Sequence, residues 1–144
     1  ETSAYIRTLP RFKAFSADLS RTLTDSDLYI TFSYRDACPN VVVEAMAHGL
    51  PVVGVGSGGV SDIVGAAGEL LEADDFKNGF FTAQRYEHDF PPIDFEHVLQ
   101  AIQKVMSNYS HYQEKVQERF KRQLGIEVVA EQYATLLRAV GIDQ

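Results

Sequence analysis

Two carboxylates eight positions apart, Asp36 and Glu44, bracket the run Ala-Cys-Pro-Asn-Val-Val-Val. A helix that starts between them leaves its first N–H groups without intrahelical partners and carries a partial positive charge there, which suits an anion. Asn40 is the expected cap, with the N–H groups of Val41, Val42 and Val43 left unpaired and directed into the preceding loop. The valine side chains cannot compete for those donors. Glu44 lies one turn inside, and helical side chains lean toward the N-terminus, so its carboxylate returns to the same opening. Asp36 brings a second carboxylate to that mouth. Further on, Gly54-Val-Gly56-Ser-Gly58-Gly59 offers backbone that can come close to a bound molecule. Phosphate on N–H groups and hydroxyls on carboxylates together describe an anionic, hydroxyl-rich ligand, such as a nucleotide sugar.

The elements that must hold these groups can be read on either side. Leu28 to Phe32 is an apolar, strand-like run, and Ser33 to Asn40 is a polar loop. Val41 to His48 reads as a helix, stopped by Gly49 and then Pro51. Pro51 to Val55 is a second strand that opens into the Gly-rich turn. The order strand, loop, helix, strand, loop is a βαβ unit, with both loops at the C-terminal edge of a parallel sheet, where open α/β sheets bind ligands.

On these residues a resemblance rests. Asp36 and Glu44 at their spacing, Glu-Ala-Met-Ala-His-Gly-Leu-Pro-Val-Val over 44–53 and Gly-Gly-Val-Ser-Asp-Ile-Val over 58–64 resemble the C-terminal nucleotide-sugar domain of retaining GT-B glycosyltransferases. The likeness is to the group 1 type (glycosyltransferase family 4), which includes sucrose synthases, glycogen synthases and bacterial mannosyltransferases, and it is dense from about residue 27 to residue 75. It implies an α/β fold with a Rossmann-like parallel sheet flanked by helices, one half of a two-domain enzyme. It also implies transfer of a hexose from a UDP- or GDP-sugar with retention and without a metal or other cofactor. The acid matching Glu44 would bind ribose, and the acid matching Asp36 would contact the transferred sugar. The amides matching Val41 and Val42 would touch the diphosphate, and on the reading of the residues Asn40 and the Gly58–Gly59 loop are expected to border the same phosphate site.

Two departures stand out. The family usually has Glu where this chain has Asp36. Its basic pair on early loops of the domain has no match here, so the 144 residues are expected to be one donor-binding domain of a larger or split enzyme, inactive alone. Its partners would be the donor and either a missing acceptor domain or a second copy of the chain.

The same residues admit rival readings. A non-catalytic nucleotide-binding or scaffold module of this fold would keep the site for shape only. Gly54 to Gly59 fits the dinucleotide fingerprint G-x-G-x-x-G, which would suit an NAD-dependent oxidoreductase. That fingerprint needs a sustained helix, whereas Val60 to Val64 allows barely more than a turn, with Asp62 as its expected cap. Asp25-Ser-Asp27 has metal-binding form but falls at a helix-to-strand turn on the opposite edge, and two acids are too few for a hard cation. Cys38 would need a base, and His48 lies at the far end of the helix, roughly 12 Å away.

Composition bounds the rest. A net charge of −7 argues against nucleic acid, and no apolar run approaches the ~20 residues that span a bilayer. A single cysteine excludes an internal disulfide and fits a cytoplasmic, reducing setting, with peripheral membrane association left to any missing domain. Arg11 to Phe15 suits a short strand, Asp18 to Asp25 a short helix with Leu19 and Leu23 on one face, and Leu70-Leu71 an edge strand. Residues 72–92 read as a long aromatic-rich loop. The segment 94–140 is helical: Asp94 caps a helix whose buried face is Phe95, Val98, Leu99, Ile102, Val105 and Met106. Ser110 to Leu124 has a sparse apolar face, and Ile126 to Val140 presents one that requires a partner.

Overall fold

The computed structural model describes residues 18–34, 36–72 and 94–141. The expected strand near residue 11 and the aromatic-rich loop after residue 72 lie outside them. Three parallel strands, β1 (Tyr29–Thr31), β2 (Val52–Gly56) and β3 (Gly68–Glu72), form a sheet in the order β1-β2-β3. Tyr29 stands opposite Val52, and Val52 opposite Gly68, so the strand ends are level and the loops that follow them share one edge. Each parallel pair needs a crossover. Helix α2 (Asn40–Ala47) joins β1 to β2; the short α3 (Val60–Val64) and a 3-10 turn (Gly65–Ala67) join β2 to β3. The fold is therefore α/β with a parallel sheet between helices, as expected.

The central strand reads Val-Val-Gly-Val-Gly without polar alternation because both of its faces are covered. Val52 packs on one side with Val42 and Met46 of α2, Val60 and Val64 of α3, and Val116 of α5 (Tyr109–Arg119). Val53 packs on the other with Ala101 and Val105 of α4 (Phe95–Ser107) and Tyr112 of α5. Helix α5 thus serves both layers. Full burial of each valine is worth about 2 kcal/mol, so these two clusters anchor the sheet.

Local signals set most helix ends. Asp18 caps α1 (Leu19–Thr24) through the N–H of Arg21 at 2.9 Å, and Asp94 caps α4 through that of Glu96, also at 2.9 Å. Helix α2 stops where Gly49 takes φ +79: the Gly49 N–H reaches the Met46 carbonyl and the Leu50 N–H the Ala45 carbonyl, at 3.0 and 3.1 Å. The expected helix over 110–124 is instead α5 followed by a wider turn, Phe120–Leu124, closed by the Gly125 N–H on the Phe120 carbonyl at 2.8 Å.

The face of α4 differs from expectation. Val98, Ala101 and Val105 are buried, while Phe95, Leu99 and Met106 are exposed. At about 100° per residue, the first three fall in a narrow stripe that meets the sheet, and the other three fall on its flank. Ala101 belongs to the centre of the contact because a small side chain lets the helix approach. The last helix, α6 (Ile126–Ala139), buries none of its residues: Tyr133, Leu136, Leu137 and the following Val140 are all exposed.

Candidate functional site

The C-terminal edge of the sheet is built from its buried end outward. Thr31 closes β1 with a buried hydroxyl that accepts the Ser33 N–H at 3.2 Å and bonds the Tyr29 hydroxyl. Burial raises the Tyr29 pKa above the ordinary tyrosine value; the Thr31 hydrogen bond opposes this, and the nearby negative charge of Glu44 adds to it. Glu44 stands in the second turn of α2, and it is exposed. Neither Tyr29 nor Thr31 was singled out from the sequence. The available signal was a threonine ending an apolar strand.

The loop after β1 then folds on itself. An oxygen of the Asp36 carboxylate, Oδ1, accepts the Cys38 N–H at 3.1 Å, a turn that Asp and Asn favour because their short side chains reach two residues on. The Asp36 carbonyl accepts the Gly59 N–H at 2.8 Å, which ties this loop to the Gly-rich loop after β2. Gly58 has φ +59, and a Cβ placed there would run into the Asp36 carbonyl oxygen, with the Asp36 carbonyl carbon at 2.9 Å and its nitrogen at 3.0 Å. Gly59 meets Ala37 in the same way, with the Ala37 carbonyl carbon 3.0 Å from where its Cβ would be. These two glycines are required by the close approach of two protein loops.

Three expectations at this edge are corrected. Helix α2 begins at Asn40, so the cap is Pro39, whose ring offers no hydrogen-bonding group. Asn40 instead accepts the Cys38 thiol at 3.6 Å. Pro39 is buried, and its carbonyl takes the Val42 N–H at 2.9 Å and, more weakly, that of Val43 at 3.5 Å. Those N–H groups are thus engaged, whereas no described residue bonds the Val41 N–H. Asp62 does not cap α3; the cap position is Gly59, and Asp62 lies in the first turn.

Helix α3 has only five residues, shorter than a dinucleotide fingerprint needs, as expected. Its far end is held by Arg119, a residue the sequence did not mark. The Arg119 Nε–H donates to the Ile63 carbonyl at 2.8 Å and a terminal nitrogen donates to the Asp62 carbonyl. Cys38 and His48 have separate partners: the His48 ring bonds the Glu44 carbonyl through Nδ1 at 2.8 Å and the Ser20 hydroxyl through Nε2 at 3.0 Å. Among the described residues no three His, Cys, Asp or Glu side chains gather as a metal site. No described helix is long and apolar enough to cross a membrane.

What stands at this edge is a helix N-terminus beside two interlocked loops, with an exposed carboxylate one turn behind it. Such an edge can present main-chain donors to an anion and a hydrogen-bond acceptor to hydroxyls. Residues 5–85, more than half of the chain, match the family model described as glycosyl transferases, group 1. The matched span contains all three strands and both loops. Neither the curated proteins nor the solved structures contained a match.

Proposed function

From the membership of this chain in the group 1 glycosyl transferases, we propose that it supplies the donor-binding part of a retaining, GT-B type hexosyltransferase. The observation that carries the reading is the position of Glu44: exposed, in the second turn of a helix that opens at the C-terminal edge of a parallel sheet. A nucleoside diphosphate placed across that opening would lay its phosphates at the start of α2 and its ribose over the helix. The Val41 N–H is the first donor to the diphosphate. Val42 contributes only by sharing an N–H already given to Pro39. Asn40 borders the same turn, and the Gly58–Gly59 loop forms the wall against which the phosphates rest.

In transfer, the bond from the sugar's anomeric carbon to the diphosphate oxygen breaks as the acceptor oxygen attaches, and the acceptor's hydroxyl proton passes to the departing diphosphate. The negative charge that develops on the diphosphate has to be met by fixed donors. Main-chain N–H groups supply part of that. The remainder calls for cations, and these, together with the acceptor site, are assigned to a further domain or a second copy facing this edge.

Calorimetry with UDP, GDP and their sugars tests the reading. One nucleotide family is expected to bind, and Glu44→Ala to weaken it by roughly 10- to 100-fold, the scale of charge-assisted hydrogen bonds to two hydroxyls. Unchanged affinity in Glu44→Ala, or no heat from any of the nucleotides at millimolar concentration, refutes it and leaves a scaffold that retains the fold alone.

A further inference from the structure

The resemblance assigns the Asp36 carboxylate to the transferred sugar, and the residue also makes contacts within the protein itself. Its Oδ1 holds the Cys38 N–H at 3.1 Å and its carbonyl holds the Gly59 N–H at 2.8 Å, while Gly58 lies flat against its backbone. We infer that Asp36 is a positioning residue, which locks the loop after β1 to the loop after β2 and so fixes the start of α2 relative to the Gly-rich wall.

The chain of contacts runs in one direction. The side-chain turn sets the path from Asp36 through Cys38 into Pro39, and Pro39 is the buried cap whose carbonyl starts α2. The same turn aims the Asp36 carbonyl at Gly59, the residue that precedes α3. Two helices of two successive βαβ units are thereby referenced to one residue. The side chain does this by its length and its acceptor oxygen, and its charge is not needed. Asn keeps both properties. Glu, one methylene longer, cannot close the same ring around the Cys38 N–H, and Ala has no acceptor.

The inference rests on the nucleotide-binding reading for its functional arm only. In calorimetry with UDP and GDP, Asp36→Asn is expected to bind within twofold of the parent, and Asp36→Ala and Asp36→Glu to fall by roughly threefold to tenfold, the scale of one lost hydrogen bond. A second arm uses no ligand: amide exchange at Cys38 and Gly59, followed by NMR, is expected to quicken in Asp36→Ala and Asp36→Glu and to stay parental in Asp36→Asn. Rescue by Asn in the exchange arm, together with absence of nucleotide binding by the parent, would sink the donor reading and keep the positioning role. Exchange in Asp36→Asn that matches Asp36→Ala, or parental exchange in all three variants, overturns it.

Discussion

Substituting Gly58 by alanine tests the interlocked loops most directly. Two costs arise at that position. A residue with a Cβ at φ +59 meets its own following carbonyl, about 1–2 kcal/mol, reduced by roughly 0.5 kcal/mol because alanine also restricts the unfolded chain. The new methyl group also collides with the Asp36 carbonyl, a main-chain atom that cannot rotate away. Relief requires the loops to part, and the Gly59 N–H bond to that carbonyl at 2.8 Å is then lost, a further ~1 kcal/mol. The sum is about 1.5 to 2.5 kcal/mol. Gly49→Ala is the internal control: φ there is +79, but nothing lies within 4 Å of where its Cβ would be, so only the conformational cost applies, about 1 kcal/mol. Urea unfolding of the two variants beside the parent measures the difference directly. A gap of about 1 kcal/mol is expected. If Gly58→Ala loses no more than Gly49→Ala, the loops are not locked as described.

Two further outcomes follow from contacts away from this edge. Tyr112 is buried and donates its hydroxyl to Glu69; burial first, then that hydrogen bond and the Glu69 charge, push its pKa up to about 12. Between the unfolded value near 10 and this one, the unfolded chain releases a proton that the folded chain keeps, so stability is complete below pH 10 and falls as pH rises through 12. The loss is on the order of 2 kcal/mol, and urea midpoints from pH 9 to 12 should decline less steeply in Tyr112→Phe; parallel curves would contradict the assignment. Arg119→Met removes two hydrogen bonds to the Asp62 and Ile63 carbonyls and should cost about 1.5 to 3 kcal/mol in the same urea assay, and Arg119→Lys should recover little of it because one ammonium cannot reproduce the planar fork; full recovery by Lys would show that charge alone matters.

The legible parts of this protein are those whose causes are short-range. The strands over 29–31 and 52–56 announce themselves as apolar runs, whereas that over 68–72 shows only Leu70-Leu71 between two glutamates. Asp18 and Asp94 cap the helices they precede, and Gly49 before Leu50 and Pro51 ends α2 as the residue types require. Asparagine is the better cap by type, yet Pro39 caps α2, because its burial against the neighbouring loop decides the matter. The inner face of α4 is narrower than its apolar spacing suggests, because spacing cannot say how broad a strip the sheet covers, and Ala101 carries too weak a hydrophobic signal to mark the centre.

By itself the sequence determined the βαβ order, the shared edge of the loops after β1 and β2, and the placement of Asp36 and the glycines on those loops and of Glu44 on α2, since periodicity, caps and turn residues act over a few positions. Only the tertiary structure decided what those residues touch. Asp36 meets Gly58 and Gly59 across the mouth, Tyr112 reaches Glu69, and Arg119 reaches back to Ile63. Each of these contacts joins residues far apart in the chain. Steric fit between packed layers selects them, and no local preference of either partner encodes that fit.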